Sequence, residues 1–159
     1  MSFGLFLAGC AGRSPQSEER EGGASGAAAK GVDPKSLYAR LGGERTIAAL
    51  VDDFVPRTAL DPKVNFVREG TAREWQPTPE NVAHLKKMFV EFLGAATGGP
   101  VKYEGKELKS VHAGMKITAS EFDAFAADFK ATLEKLRVPP REQVEFLALI
   151  NAAGSDIVE

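Results

Sequence analysis

From Ser36 onward, apolar residues recur every three or four positions, and no stretch shows the apolar-polar alternation of a half-buried strand. Ser36 to Arg40 reads as a short helical turn stopped by Gly42-Gly43. Glu44 to Ala59 follows, with Ile47, Leu50, Val51 and Phe54 on one face. Pro56 removes a helical hydrogen bond at a cost of about 3 kcal/mol, so a kink or an early end is expected near Val55. Asp61-Pro62 has the form of a helix restart, Asp as cap and Pro in the first position, carrying Val64 and Phe66. Val67 to Pro77 has little periodicity and reads as a loop whose one indole, Trp75, is a lid on the core or else an exposed anchor, the lid being the preferred reading. Thr78-Pro79-Glu80 opens a well-marked helix that sends Val82, Leu85, Phe89, Phe92, Leu93 and Ala96 inward, with Glu80, Lys86, Lys87 and Glu91 outward; Gly98-Gly99-Pro100 ends it.

In the second half, Thr118 and Glu121 form a capping box for a helix reaching about Arg137, with Phe122, Phe125, Phe129, Leu133 and Leu136 at helical spacing. Pro139-Pro140 starts the last helix, in which Val144, Leu147, Leu149 and Ile150 are apolar on more than one side, so it is expected to be largely buried. The pattern gives an all-α class. Between these halves, Leu108, Val111 and His112 share one side of a helical turn, which points the imidazole inward while Lys106 and Lys109 face out, and Gly114 ends the turn. A lone inward histidine beside a phenylalanine stripe suits a haem iron; a buried histidine bonded to a carbonyl is the commoner arrangement for such a residue.

The order and spacing of Leu37-Tyr38, Leu41-Gly42-Gly43, Asp52-Asp53-Phe54, Asp61-Pro62, Gly98-Gly99-Pro100, Tyr103-x-Gly105, Val111-His112-x-Gly114, Ile117-Thr118 and Val138-Pro139 resembles a group 1 truncated haemoglobin. The resemblance implies a two-over-two helical sandwich over residues 35–159, one haem b, His112 as the proximal iron ligand and a diatomic gas (O2, CO or NO) as ligand. It also marks the pocket. The family's usual distal tyrosine falls on Val55 and its distal glutamine on Phe89; Leu85 is the other distal residue, and Phe66 is the aromatic that packs on the haem, with Phe122 and Phe125 facing His112. The distal side is therefore expected to be apolar. Met88 stands where some members supply a distal histidine, so its thioether is a candidate second iron ligand, which would favour electron transfer to a redox partner. The alternative is a haem-free globin-fold module that uses the cavity for packing or for another apolar ligand.

Composition narrows the rest. The 159 residues allow one domain, and 43% hydrophobic content with a net charge of -2 fits an ordinary globule. Arg40, Arg57, Lys86, Lys87, Lys109 and Lys130 are scattered and read as solvated helix faces, so no nucleic-acid partner is expected. There is no Ser/His/acid set, no cysteine pair and no zinc-spaced histidine doublet, and the glycines at 98–99 lack the Lys-Ser/Thr of a phosphate loop. Asp52-Asp53 diverge on a helix and read as surface charges. At the N-terminus, Leu7-Ala8-Gly9-Cys10 resembles the lipobox of bacterial lipoproteins, after an apolar run too short to span a bilayer. That likeness divides the chain into a signal segment (1–10), a Gly/Ala/Ser/Glu-rich flexible linker (11–34) and the helical domain (35–159). It implies a lipid on Cys10 and a place at the periplasmic face of the cell envelope; without processing the chain would be cytoplasmic.

Overall fold

The computed structural model describes residues 31–159; Cys10 and its flanking motif lie outside the described residues. Six helices follow in order: α1 (Leu37–Leu41), α2 (Glu44–Leu60), α3 (Pro79–Ala96), α4 (Leu108–His112), α5 (Ala119–Lys135) and α6 (Pro140–Ile157), with no strand among the described residues. Polar side chains set the starts of α1, α3 and α5 by accepting first-turn amides that have no helical partner. Ser36 accepts from Ala39 N, Thr78 from Asn81 N, and Thr118 with Glu121 completes the reciprocal capping box.

α2 packs on α3 and on α5, α5 packs on α6, and the short α1 and α4 rest on α6. Two helix pairs, α2/α3 and α5/α6, thus meet through α2 and α5. Their shared seam is aromatic: Phe54 of α2 stacks on Phe129 of α5 with ring centroids 3.5 Å apart, Phe125 meets Phe54 edge-on at 4.9 Å, and Phe146 of α6 reaches Phe129 at 5.6 Å. The glycine pair after α3 has two causes: Gly98 adopts φ 87°, and Gly99 lies against Tyr38. A Cβ on Gly99 would sit 2.7 Å from the Tyr38 ring and from the Gly94 carbonyl, so only glycine lets α1 lie this close to the end of α3.

Several expectations need correction. α2 does not end near Val55 but runs through Pro56 to Leu60. Pro56 and Asp52, whose carbonyl loses its partner, are both exposed, so water takes that carbonyl while buried Phe54, Val55 and Thr58 hold the helix on course. Asp61-Pro62 restarts no helix. Asp61 instead ends α2, its side chain accepting from Lys63 N and its carbonyl from Val64 N, and this turn competes with a new helical turn. Ala96 and Leu136 are exposed rather than inward, and α6 is not largely buried: Val144 is 70% exposed, and Leu149 is also exposed. Asp53 is not a surface charge. It turns towards α5 and accepts from Thr132 and Lys135 as well as from Arg57 on its own helix, while Asp52 stays exposed and pairs with Lys86. Arg40 likewise joins α1 to α6 through Glu142 and Glu145 instead of being merely solvated.

Candidate functional site

The helix pairs diverge at one end, where a cavity of about 640 Å³ opens between α3, α4, α5, α6 and the loop after α2, well within the range of small-molecule sites. Its walls are mostly apolar. Leu85, Met88 and Phe89 come from α3, Phe122 and Phe125 from α5, Phe66 and Trp75 from the loop, and Ile150, Ala153 and Ile157 from α6. Trp75 is held as a cover, its Nε1 donating to the Phe66 carbonyl at 3.2 Å and its ring 5.9 Å from the Phe66 ring.

His112, at the end of α4, is the half-buried imidazole in this wall. Its Nδ1 lies 2.8 Å from the Leu108 carbonyl oxygen, which can only accept, so Nδ1 carries the hydrogen and Nε2 keeps a free lone pair. Burial pushes the imidazolium down, the Leu108 carbonyl draws it partly back, and the nearby Arg73 charge pushes it down again, so the ring is held below its usual range. A neutral imidazole whose second nitrogen is tied to a carbonyl is the ligating form seen at metal sites. Among the described residues no group of three or more His, Cys, Asp or Glu could hold a bare metal ion, so a metal here would have to bring its other ligands with it.

Of the residues singled out in the sequence, His112, Phe66, Leu85, Met88, Phe89, Phe122 and Phe125 are brought to one cavity, and Val55 is not. Val55 is buried in the core, and Thr58, one turn further along α2, takes the place on the cavity wall. His84 is exposed at the rim. Two polar groups were not foreseen. Thr58 is fully buried, and Arg68, only 6% exposed, reaches the wall from a loop position with φ 56°, paired with Glu121. Arg68 Nε is buried without a hydrogen-bond partner among the described residues. The unpartnered Arg68 Nε–H beside this apolar cavity can donate to an acceptor on a ligand, although Glu121 already pairs the guanidinium, so the lining fits a largely apolar group with a polar edge.

A model of the bacterial-like globin family matches residues 36–158. The chain is 32% identical to the group 1 truncated haemoglobin GlbN of Mycolicibacterium paratuberculosis over 126 residues, which cover 79% of this chain and 86% of that protein. It is 31% identical to the group 1 truncated haemoglobin of Tetrahymena pyriformis over 124 residues, covering 78% and 89% of the two chains. A crystal structure of a truncated haemoglobin from Tetrahymena pyriformis in its Fe(III) form superposes with a TM-score of 0.67 at 28% identity, covering 78% of this chain and 98% of the other.

Proposed function

We propose, from the premise that this chain belongs to the bacterial-like globin family and to its group 1 truncated haemoglobins, that it binds one haem b and uses it to bind a diatomic gas or to pass an electron. The observation that carries the reading is His112, a neutral imidazole with Nδ1 tied to Leu108 and Nε2 free in the wall of an apolar cavity. Within that cavity His112 would hold the iron, Phe122 and Phe125 would pack beside it, Phe66 and Trp75 would cover it, and the Arg68 Nε–H would donate to the polar edge of the haem. The bound haem supplies the gas binding or the redox change; the protein orients it and limits access of water.

The α3 wall, formed by Leu85, Met88 and Phe89, offers no hydrogen-bond donor, and Val55 is turned into the core. Dioxygen, which gains partial negative charge on iron, finds no donor on the α3 side; α2 brings the Thr58 hydroxyl to the wall, buried without a partner among the described residues, so carbon monoxide, nitric oxide or electron transfer fits at least as well as oxygen storage. The lipobox-like Leu7-Ala8-Gly9-Cys10 supports a lipid-tethered place at the periplasmic face, with residues 11–34 as the tether.

The test is the absorption spectrum of the purified chain with and without dithionite, beside His112→Ala and His84→Ala. A Soret band that His112→Ala abolishes or shifts strongly and His84→Ala leaves in place is the expected result. A colourless wild type would favour the haem-free module, and equal damage from both substitutions would move the iron ligand away from His112.

A further inference from the structure

α4 is too short to hold itself. Five residues with no side-chain cap and no buried residue form a marginal helix, since nucleation is costly and propagation brief. The bond from His112 to Leu108 lies within α4 and orients the ring, but it leaves the position of the whole helix unfixed. Packing on α6 holds its apolar side, and two side chains add outside hydrogen bonds at its C-terminal end. Arg73, in the loop before α3, donates from Nη2 to the Val111 carbonyl at 2.9 Å. Glu159, beyond α6, accepts from Gly114 N at 2.8 Å on Oε1 and from Lys116 N at 2.7 Å on Oε2.

The second contact is a built arrangement. Gly114 and Lys116 both have left-handed backbones, φ 78° and 54°, which turn their N–H groups towards one carboxylate, and for Lys116 that conformation is unfavourable without such a partner. Glu159 N also donates to the Ile117 carbonyl at 2.9 Å, so main chain and side chain both fasten this residue to the segment after His112. The two amides sit two and four positions beyond the histidine, and Met115 between them lines the cavity.

We propose that Glu159 and Arg73 are positioning residues for His112, which together clamp the C-terminal end of α4 and the segment after it, and so fix where the imidazole would meet a haem iron. This rests on the haem reading above. Neither residue touches the iron, and their effect passes through the backbone of residues 111–116.

The experiment compares wild type with Glu159→Gln, Glu159→Ala and Arg73→Ala in the full chain. In the haem-loaded ferrous protein, the iron–histidine stretching band in the resonance Raman spectrum should be narrow in wild type, and broadened and shifted in Glu159→Ala and Arg73→Ala. Glu159→Gln, which keeps one acceptor oxygen, should fall between. A general loss of stability does not move that band. In the haem-free protein, exchange of the Gly114 and Lys116 amides should quicken by about tenfold or more in Glu159→Ala, as expected for a lost charge-assisted bond. An unchanged band overturns the positioning role even where exchange quickens, and unchanged exchange overturns the clamp itself. A wild type without a Soret band overturns the haem reading and any role towards iron with it, while the exchange rates still decide the clamp.

Discussion

At the scale of single residues, Asp53 shows how much a side chain can do away from the cavity. Burial raises its carboxyl, but hydrogen bonds from Lys135, Arg57 and Thr132 outweigh that and leave it at about 2, against an ordinary 3.8. A depressed carboxyl contributes stability that is present above the unfolded value and lost as pH falls towards the folded one. With only 15% of its side chain exposed, the shift corresponds to about 2 kcal/mol. Urea unfolding at about pH 5 and about pH 2 should therefore cost the wild type more stability than Asp53→Asn, by about that amount; equal losses would show the network to be decorative. Met88 carries a second prediction. If its thioether binds iron, the ferrous wild type is six-coordinate and low-spin, and Met88→Leu is five-coordinate; a five-coordinate spectrum in both leaves Met88 as wall. His112 was legible in the sequence because its neighbours are spaced around it. Thr58 and Arg68 were not. Val55 and Thr58 lie three residues apart on α2, and the choice between them is made by the loop carrying Val64 and Phe66, which crosses beside the later turn. Arg68 sits in that same loop, where no periodicity points anywhere.

At the scale of elements, apolar stripes announced the four long helices, and polar caps marked the starts of α1, α3 and α5, but the limits were less legible. The Pro56 penalty is local, whereas the burial that holds α2 together comes from residues brought in by α3 and α5, and no window of sequence contains them. The exposed side of α6 is the converse case, apolar residues for which this fold supplies no neighbour. One helix contact gives a sharp prediction. Gly154 of α6 is buried, and a Cβ there would stand 2.8 Å from Phe122 Cε1. Alanine would ordinarily gain about 0.5–1 kcal/mol in a helix interior, but the overpacking typically costs about 1–3 kcal/mol. Gly154→Ala should thus be less stable by about 1 kcal/mol in urea, with weaker haem uptake because Phe122 lines the cavity. A gain in stability would mean that the Phe122 ring has room to yield.

At the scale of the whole molecule, the domain and its tether are separate questions. Periodicity gave only the all-α class, and the two-over-two arrangement came from the resemblance that the motifs carry, since helix crossings are set by contacts between segments far apart in the chain. The proposed lipid anchor at Cys10, which ends the lipobox-like segment 1–10, is tested in cells: wild type should partition with membranes, and Cys10→Ser should be released or left unprocessed, whereas an unmodified Cys10 in a wholly soluble wild type would reject the anchor. The clamp on α4 also bears on the order in which the chain assembles. Its contacts span 38, 43 and 45 residues, while the aromatic seam is held by long helices that can form locally before they dock. Closing such distant loops around a segment with no buried residue brings little early return for the entropy lost. The histidine arm is accordingly expected to arrive late in folding, on a core already closed, and to open before that core does.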